Sequence, residues 1–219
     1  MPKFEPLVIG MMQYYTQTHD TLHQQEILDT LTTLIHFGID FSKLDKGSTF
    51  VNYVTNQILG KKSYLKNPPK ILPFIFNFFS ALSVECSQLI DPNNLLKLTS
   101  CVFSAPYWKL NGELLPSIKY LLKDLFHRGK RKRGYNLKQR EELREHFLSC
   151  LISKIPFPQA VNNLAIILRQ TRNKRPLFQT YSSAILETLF TFIAKGNLIA
   201  DTQQVRKQIL VFAVFKNDS

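Results

Sequence analysis

Residues 20–38 read DTLHQQEILDTLTTLIHFG, and the reading of this stretch decides the fold class. Asp20 has a side chain suited to capping a helix, and Gln24 follows near the capping-box position. Ile27, Leu28, Leu31, Leu34 and Ile35 recur at the spacing of one helical face. Gly38 then supplies the residue that closes a helix. The stretch predicts an amphipathic helix with a defined start and stop.

The same pattern extends in both directions. Upstream, a first helix is expected from Pro6, carrying Leu7, Val8, Met11, Met12 and Tyr15. Downstream, a third follows Ser48 with Phe50, Val51, Val54 and Ile58, ending at Gly60. A fourth follows Asn67-Pro68-Pro69 and is expected to bury Leu72, Ile75, Phe78, Phe79 and Leu82. Asp91-Pro92 reads as an N-cap and a first-turn proline before Leu95, Leu96, Leu98, Cys101 and Val102.

The sixth helix is placed from Gly112 to His127, with Leu115, Ile118, Leu122, Leu125 and Phe126. The seventh covers Leu137 to Ile152 on Leu143, Phe147, Leu148, Leu151 and Ile152. A turn at Ile155-Pro156-Phe157-Pro158 leads to the eighth, with Val161, Leu164 and Leu168. The ninth starts at Pro176 and ends at Gly196, and the tenth runs from Asp201 or Thr202 to Phe215. No run shows the alternation of a strand.

Ten such helices pair into five hairpins, whose second helices start near Asp20, Pro69, Gly112, Pro158 and Asp201. A recurrence of about 40 to 50 residues is that of HEAT or armadillo arrays, where each pair buries its stripe against its neighbours. The expected fold is therefore all-α, an α-solenoid of about five antiparallel helix pairs, with an irregular helical bundle as the alternative. Residues 1–219 read as a single HEAT-like segment. Both ends are apolar, closing with Ile209-Leu210-Val211-Phe212-Ala213-Val214-Phe215, whereas solenoid ends carry polar caps. The expectation is a segment of a longer array.

The 219 residues carry a formal net charge of +12. Between Arg128 and Arg144 stand eight Lys or Arg against Glu141 and Glu142, and Arg169, Arg172, Lys174 and Arg175 form a second cluster. The charge is thus local and falls mostly between helices. Cys86, Cys101 and Cys150 are odd in number and lie among apolar neighbours, as small core residues of a reducing compartment do. The start has no signal-peptide pattern, and the apolar run from Ile71 to Val84 is too short to span a bilayer. These features predict a soluble, intracellular protein.

Catalytic chemistry finds no pattern to rest on. His19 and His23 are four apart, but Asp20 as the cap puts His19 outside the helix, and the sequence places no third metal ligand. Gly129 to Gly134 encloses basic residues without the strand-then-helix setting of a phosphate loop. No serine elbow or Cys-His arrangement stands out, and Glu141 and Glu142 amid Arg140 and Arg144 read as ordinary helix-face charge. No catalytic, cofactor-binding or metal residue is assigned.

Two surface features remain. The basic inter-helix loop at about 128–136 offers Arg128, Lys130, Arg131, Lys132 and Arg133, as a nuclear-import peptide, a phosphate-binding loop or a solvated connection. Tyr107 and Trp108 are candidate partner-facing aromatics, or plugs between repeats.

Several short runs point to a family. Phe4-Glu5-Pro6-Leu7-Val8-Ile9 followed by Gln13-Tyr14-Tyr15-Thr16 closely resembles a mid-chain segment of the huntingtin family. Gln24-Gln25-Glu26-Ile27-Leu28-Asp29 and Leu72-Pro73-Phe74-Ile75-Phe76-Asn77-Phe78-Phe79 continue the resemblance. Leu115-Pro116 and Lys123-Asp124-Leu125-Phe126 are similar to the family's next hairpin. Order and spacing agree over about the first 130 residues, and the remainder agrees in helical pattern alone.

The resemblance implies a non-enzymatic HEAT-repeat scaffold that binds other proteins and supports vesicle and microtubule-based transport. It implies adjacent repeats of the same solenoid as partners, together with a huntingtin-associated helical partner of the 40 kDa type. It implies a cytoplasmic place, with the nucleus and vesicle surfaces as further sites. The cluster Lys130 to Arg133 departs from the family pattern. The competing function class is a basic helical-repeat module for nucleic acid or acidic lipid headgroups, favoured if basic side chains line one continuous concave face.

Overall fold

The computed structural model describes residues 4–59, 70–104, 115–126, 135–154, 158–171 and 175–195. Among them there is no strand. The fold is all-α. The helices are α1 (Glu5–Gln17), α2 (Thr21–His36), α3 (Phe41–Leu44), α4 (Thr49–Leu59), α5 (Leu72–Glu85) and α6 (Pro92–Ser104). They continue as α7 (Leu115–Phe126), α8 (Leu137–Ile152), α9 (Pro158–Thr171) and α10 (Arg175–Ala194). The helix expected over 201–215 lies outside the described residues.

Local chemistry accounts for the boundaries. The Leu22 N–H donates to Asp20 Oδ1 at 2.8 Å, so Asp20 caps α2 as expected. Gln24 does not close a capping box. Its Nε2 donates instead to the Thr18 carbonyl at 2.9 Å, while the Asp20 N–H is taken by Thr18 Oγ1 at 3.2 Å. Gly38 ends α2 with φ +88, and its N–H donates to Ile35 O at 2.9 Å. The Ile39 N–H donates to Leu34 O at 3.1 Å, which completes the two-bond Schellman closure. Asp91 caps α6 through the Asn93 N–H at 2.9 Å.

One element was not expected. Between α2 and α4 the chain forms the four-residue α3 and a 3-10 turn at Lys46–Ser48. Here the buried Asp45 accepts the N–H groups of Phe50 at 2.9 Å and Val51 at 3.0 Å, satisfying two donors at the start of α4.

The chain divides into two compact units, Met1–Leu121 with Gly129–Leu143, and Leu122–Arg128 with Arg144–Ser219. In the first, α1 packs on α2, α3 and α4, while α4 packs on α6. Among the described residues α2 packs most extensively against α5, and α5 also meets α6. First helices of successive pairs therefore neighbour one another, and so do second helices, as in stacked repeats.

The helix α5 buries residues on every side, including Leu72, Ile75, Phe76, Phe78, Phe79 and Leu82. A helix apolar all round belongs inside a structure. Phe78 meets Phe41, Phe50 and Phe79 edge-on, with ring centroids 5.5, 5.9 and 5.9 Å away. Tyr15 extends this cluster to α1, edge-on to Phe50 at 5.3 Å, and its hydroxyl donates to Gln57 Oε1 at 2.7 Å. Burial raises the Tyr15 phenol well above its usual range, and Tyr53 adds to the rise.

In the second unit α9 packs on α10. Val161, Leu164 and Leu168 are buried as expected, joined by Ile185 and Leu189 of α10. Arg144 corrects the reading of Arg140 and Arg144 as ordinary helix-face charge. It is 6% exposed, donates its Nε to Leu125 O at 2.7 Å, and lies over the Phe126 ring at 5.7 Å.

Candidate partner-binding surface

The surface of the first helix pair departs from ordinary amphipathicity. On α1, Val8, Met12 and Tyr15 face inward, as the helical spacing requires. Leu7, expected among the inward residues, is instead 56% exposed, and so is Phe4 just before the helix. Tyr14 is 48% exposed. Phe4, Leu7, Met11 and Tyr14 follow one another at three- and four-residue steps, which makes a second apolar stripe beside the buried one. Single exposed apolar residues are normal, whereas a run on one helix face marks a contact surface.

Beside this stripe is a groove of about 220 Å³ where the start of α1 faces the corner between α2 and α3. Phe4, Val8, Ile39 and Leu44 supply apolar lining, and Glu5, Asp40 and Lys43 supply charge. Gly38 can turn here because it carries no Cβ at positive φ. The Ser42 hydroxyl donates to Asp40 Oδ1 at 2.5 Å, and Lys43 Nζ lies 3.4 Å from Asp40 Oδ2. The Ser42 hydrogen bond, ahead of Lys43, holds the Asp40 carboxyl below the usual carboxylate range. A groove of this size is below that of drug-sized ligand pockets and suits one anchoring side chain.

Other chemistry is scattered. His146 Nε2 and Cys150 Sγ are 3.6 Å apart on α8, a Cys-His pair at four-residue helical spacing that the sequence reading passed over. Burial pushes the Cys150 thiol up, against thiolate formation, and does the same at Cys86 and Cys101. Among the described residues the three cysteines are free, and no group of three His, Cys, Asp or Glu could hold a metal ion. His23 lies on α2 with Nδ1 3.3 Å from Tyr14 Oη and 3.7 Å from Asp20 Oδ2. No helix among the described residues is long and apolar enough to cross a membrane. The loop residues Arg128, Lys130, Arg131, Lys132 and Arg133 and the aromatics Tyr107 and Trp108 lie outside the described residues.

The stacked helix pairs and the exposed apolar stripe of α1 find their context in comparison with known proteins. The model of the huntingtin N-terminal HEAT region matches residues 3–205. The chain belongs to the huntingtin N-terminal HEAT family. The chain is similar to huntingtin from Takifugu rubripes, with 25% identity over 207 residues. That match covers 92% of this chain and 6% of the relative. The HD protein homolog of Dictyostelium discoideum is 31% identical over 81 residues, covering 37% of this chain and 3% of that protein. The chain therefore spans a small fraction of the length of the curated relatives it matches. As a huntingtin-family HEAT segment, it has the helical-repeat architecture of a protein-interaction scaffold.

Proposed function

We propose that the chain is a non-enzymatic stretch of a protein–protein interaction scaffold that supports vesicle and microtubule-based transport. In this reading residues 1–219 act as one HEAT-like segment of a longer solenoid, in the cytoplasm and also on vesicle surfaces and in the nucleus. Its partners are adjacent repeats and helical proteins, including one of the huntingtin-associated 40 kDa type. The observation that carries the reading is family membership over residues 3–205. The outward-facing apolar stripe of α1 supports it, since binding surfaces keep such side chains in water until a partner arrives.

A second reading, binding of nucleic acid or acidic lipid headgroups, draws on the net charge of +12. Proximity labelling from the full-length protein in cells separates the two. Trafficking proteins and a helical partner in the labelled set support the scaffold. RNA recovered by ultraviolet crosslinking, lost when Lys130, Arg131, Lys132 and Arg133 are replaced by alanine, together with no trafficking proteins, overturns it.

A further inference from the structure

We infer that the groove between the start of α1 and the α2–α3 corner docks a basic amphipathic segment of a partner protein, anchored by one large apolar side chain. The inference rests on the scaffold reading and gives it a surface and a partner class.

Charge selects the partner. Residues 4–42 hold Glu5, Asp20, Glu26, Asp29 and Asp40 and not one Lys or Arg, in a chain whose total is +12. The first helix pair is thus an acidic region of a basic protein. Glu5 and Asp40 lie at the groove itself. The groove's own cation, Lys43, is held by Asp40 at 3.4 Å, which leaves the exposed Glu5 to meet an incoming positive charge. The sign of this region repels phosphate backbones and anionic lipid. It attracts Lys or Arg flanking an apolar anchor.

Shape selects the mode. Phe4 and Leu7, both 56% exposed, extend the apolar lining of the groove outward along α1. An amphipathic helix docks on such a surface by laying its apolar side chains along the stripe and sinking one into the hollow. The corner is held before any partner arrives. The Gly38 and Ile39 closure bonds fix one side, and the Asp40–Ser42 bond fixes the other. A preformed corner reduces the ordering cost of binding.

The test uses the whole chain and two fluorescein-labelled helical peptides, one of Leu and Lys and one of Leu and Glu in the same pattern. Anisotropy should show the Lys peptide binding at least about tenfold more tightly than the Glu peptide, with affinity falling as salt rises. Phe4→Ser combined with Glu5→Lys should weaken the Lys peptide at least about tenfold, while Glu187→Lys on α10 should leave it unchanged.

Circular dichroism reports whether the double variant folds. If it does not, Glu5→Lys alone, at an exposed site, carries the test. Equal binding of both peptides, or binding indifferent to Glu5→Lys, overturns the inference. So does a concentration-dependent dimer in sedimentation that the variant abolishes, because the occupant would then be a second copy, and so does loss of Lys-peptide binding when a preceding helix pair is fused ahead of residue 1, because the occupant would then be an adjacent repeat. If the peptide fails to bind while proximity labelling still returns trafficking proteins, the docking site is lost and the scaffold reading stands.

Discussion

Arg144 donates its Nε to the carbonyl of Leu125 at 2.7 Å, so a buried guanidinium on α8 satisfies an acceptor in the last turn of α7. Late helical carbonyls lack partners within their own helix, and a cation there also meets the negative end of the helix dipole. The same guanidinium covers the face of Phe126, whose ring meets Tyr181 at 5.3 Å. Arg144→Ala should lower stability by about 2–4 kcal/mol, since it removes a charged hydrogen bond and leaves a cavity. Urea unfolding measures it. A loss under about 0.5 kcal/mol would place Arg144 among surface charges.

The second expectation concerns the start of α4. Asp45→Ala frees the N–H groups of Phe50 and Val51 in a buried setting and should cost about 1–2 kcal/mol. Asp45→Asn keeps one acceptor oxygen and should cost less than Asp45→Ala. Equal unfolding midpoints for the two variants would count against capping.

Phe78 sits where α3, α4 and α5 share aromatic edges. Phe78→Ala should destabilise the chain by about 3–5 kcal/mol, and Phe78→Leu by clearly less. Thermal denaturation of both variants decides. A loss below about 1 kcal/mol would mean that the ring is not a core residue.

The fourth expectation is a pH effect. The Ser42 hydroxyl holds the Asp40 carboxyl below its usual range. A carboxyl whose pKa is depressed by folding contributes stability above its unfolded pKa, and that contribution is lost as pH falls through the folded value. Ser42→Ala should move the Asp40 midpoint upward, toward the ordinary carboxylate range. Carboxyl-carbon NMR titration follows the shift, and an unmoved midpoint would dismiss the hydrogen bond as its cause.

Local signals carried far. Asp20, Asp91 and Gly38 act on their own neighbours, so their roles could be read from a few residues of sequence. The α5 core was legible for a related reason, since apolar spacing reports burial directly. The four-residue α3 is too short for any period to show, and with it Asp45 stayed hidden. Arg144 flanks the apolar stripe of Leu143, Phe147 and Leu151, and nothing in the order of residues says that Leu125 waits there. The groove was unreadable for the same reason. Phe4 lines the same groove as Gly38 and Leu44 only because the α1–α2 turn brings distant stretches together. Gln24 shows the converse failure, a residue near the expected place whose side chain donates to the Thr18 carbonyl instead of accepting the Asp20 N–H.

The all-round burial of α5 has a consequence for synthesis on the ribosome. The helix emerges after α2, which can cover one side at once, but its other side waits for α6. At 5–20 residues per second, the stretch from Glu85 to Ser104 takes on the order of one to four seconds to make. Throughout that interval the side of this phenylalanine-rich helix that α6 covers stands in water. Nascent chains stalled just after Glu85 are therefore the ones that should hold chaperones longest, and release should come as α6 is completed.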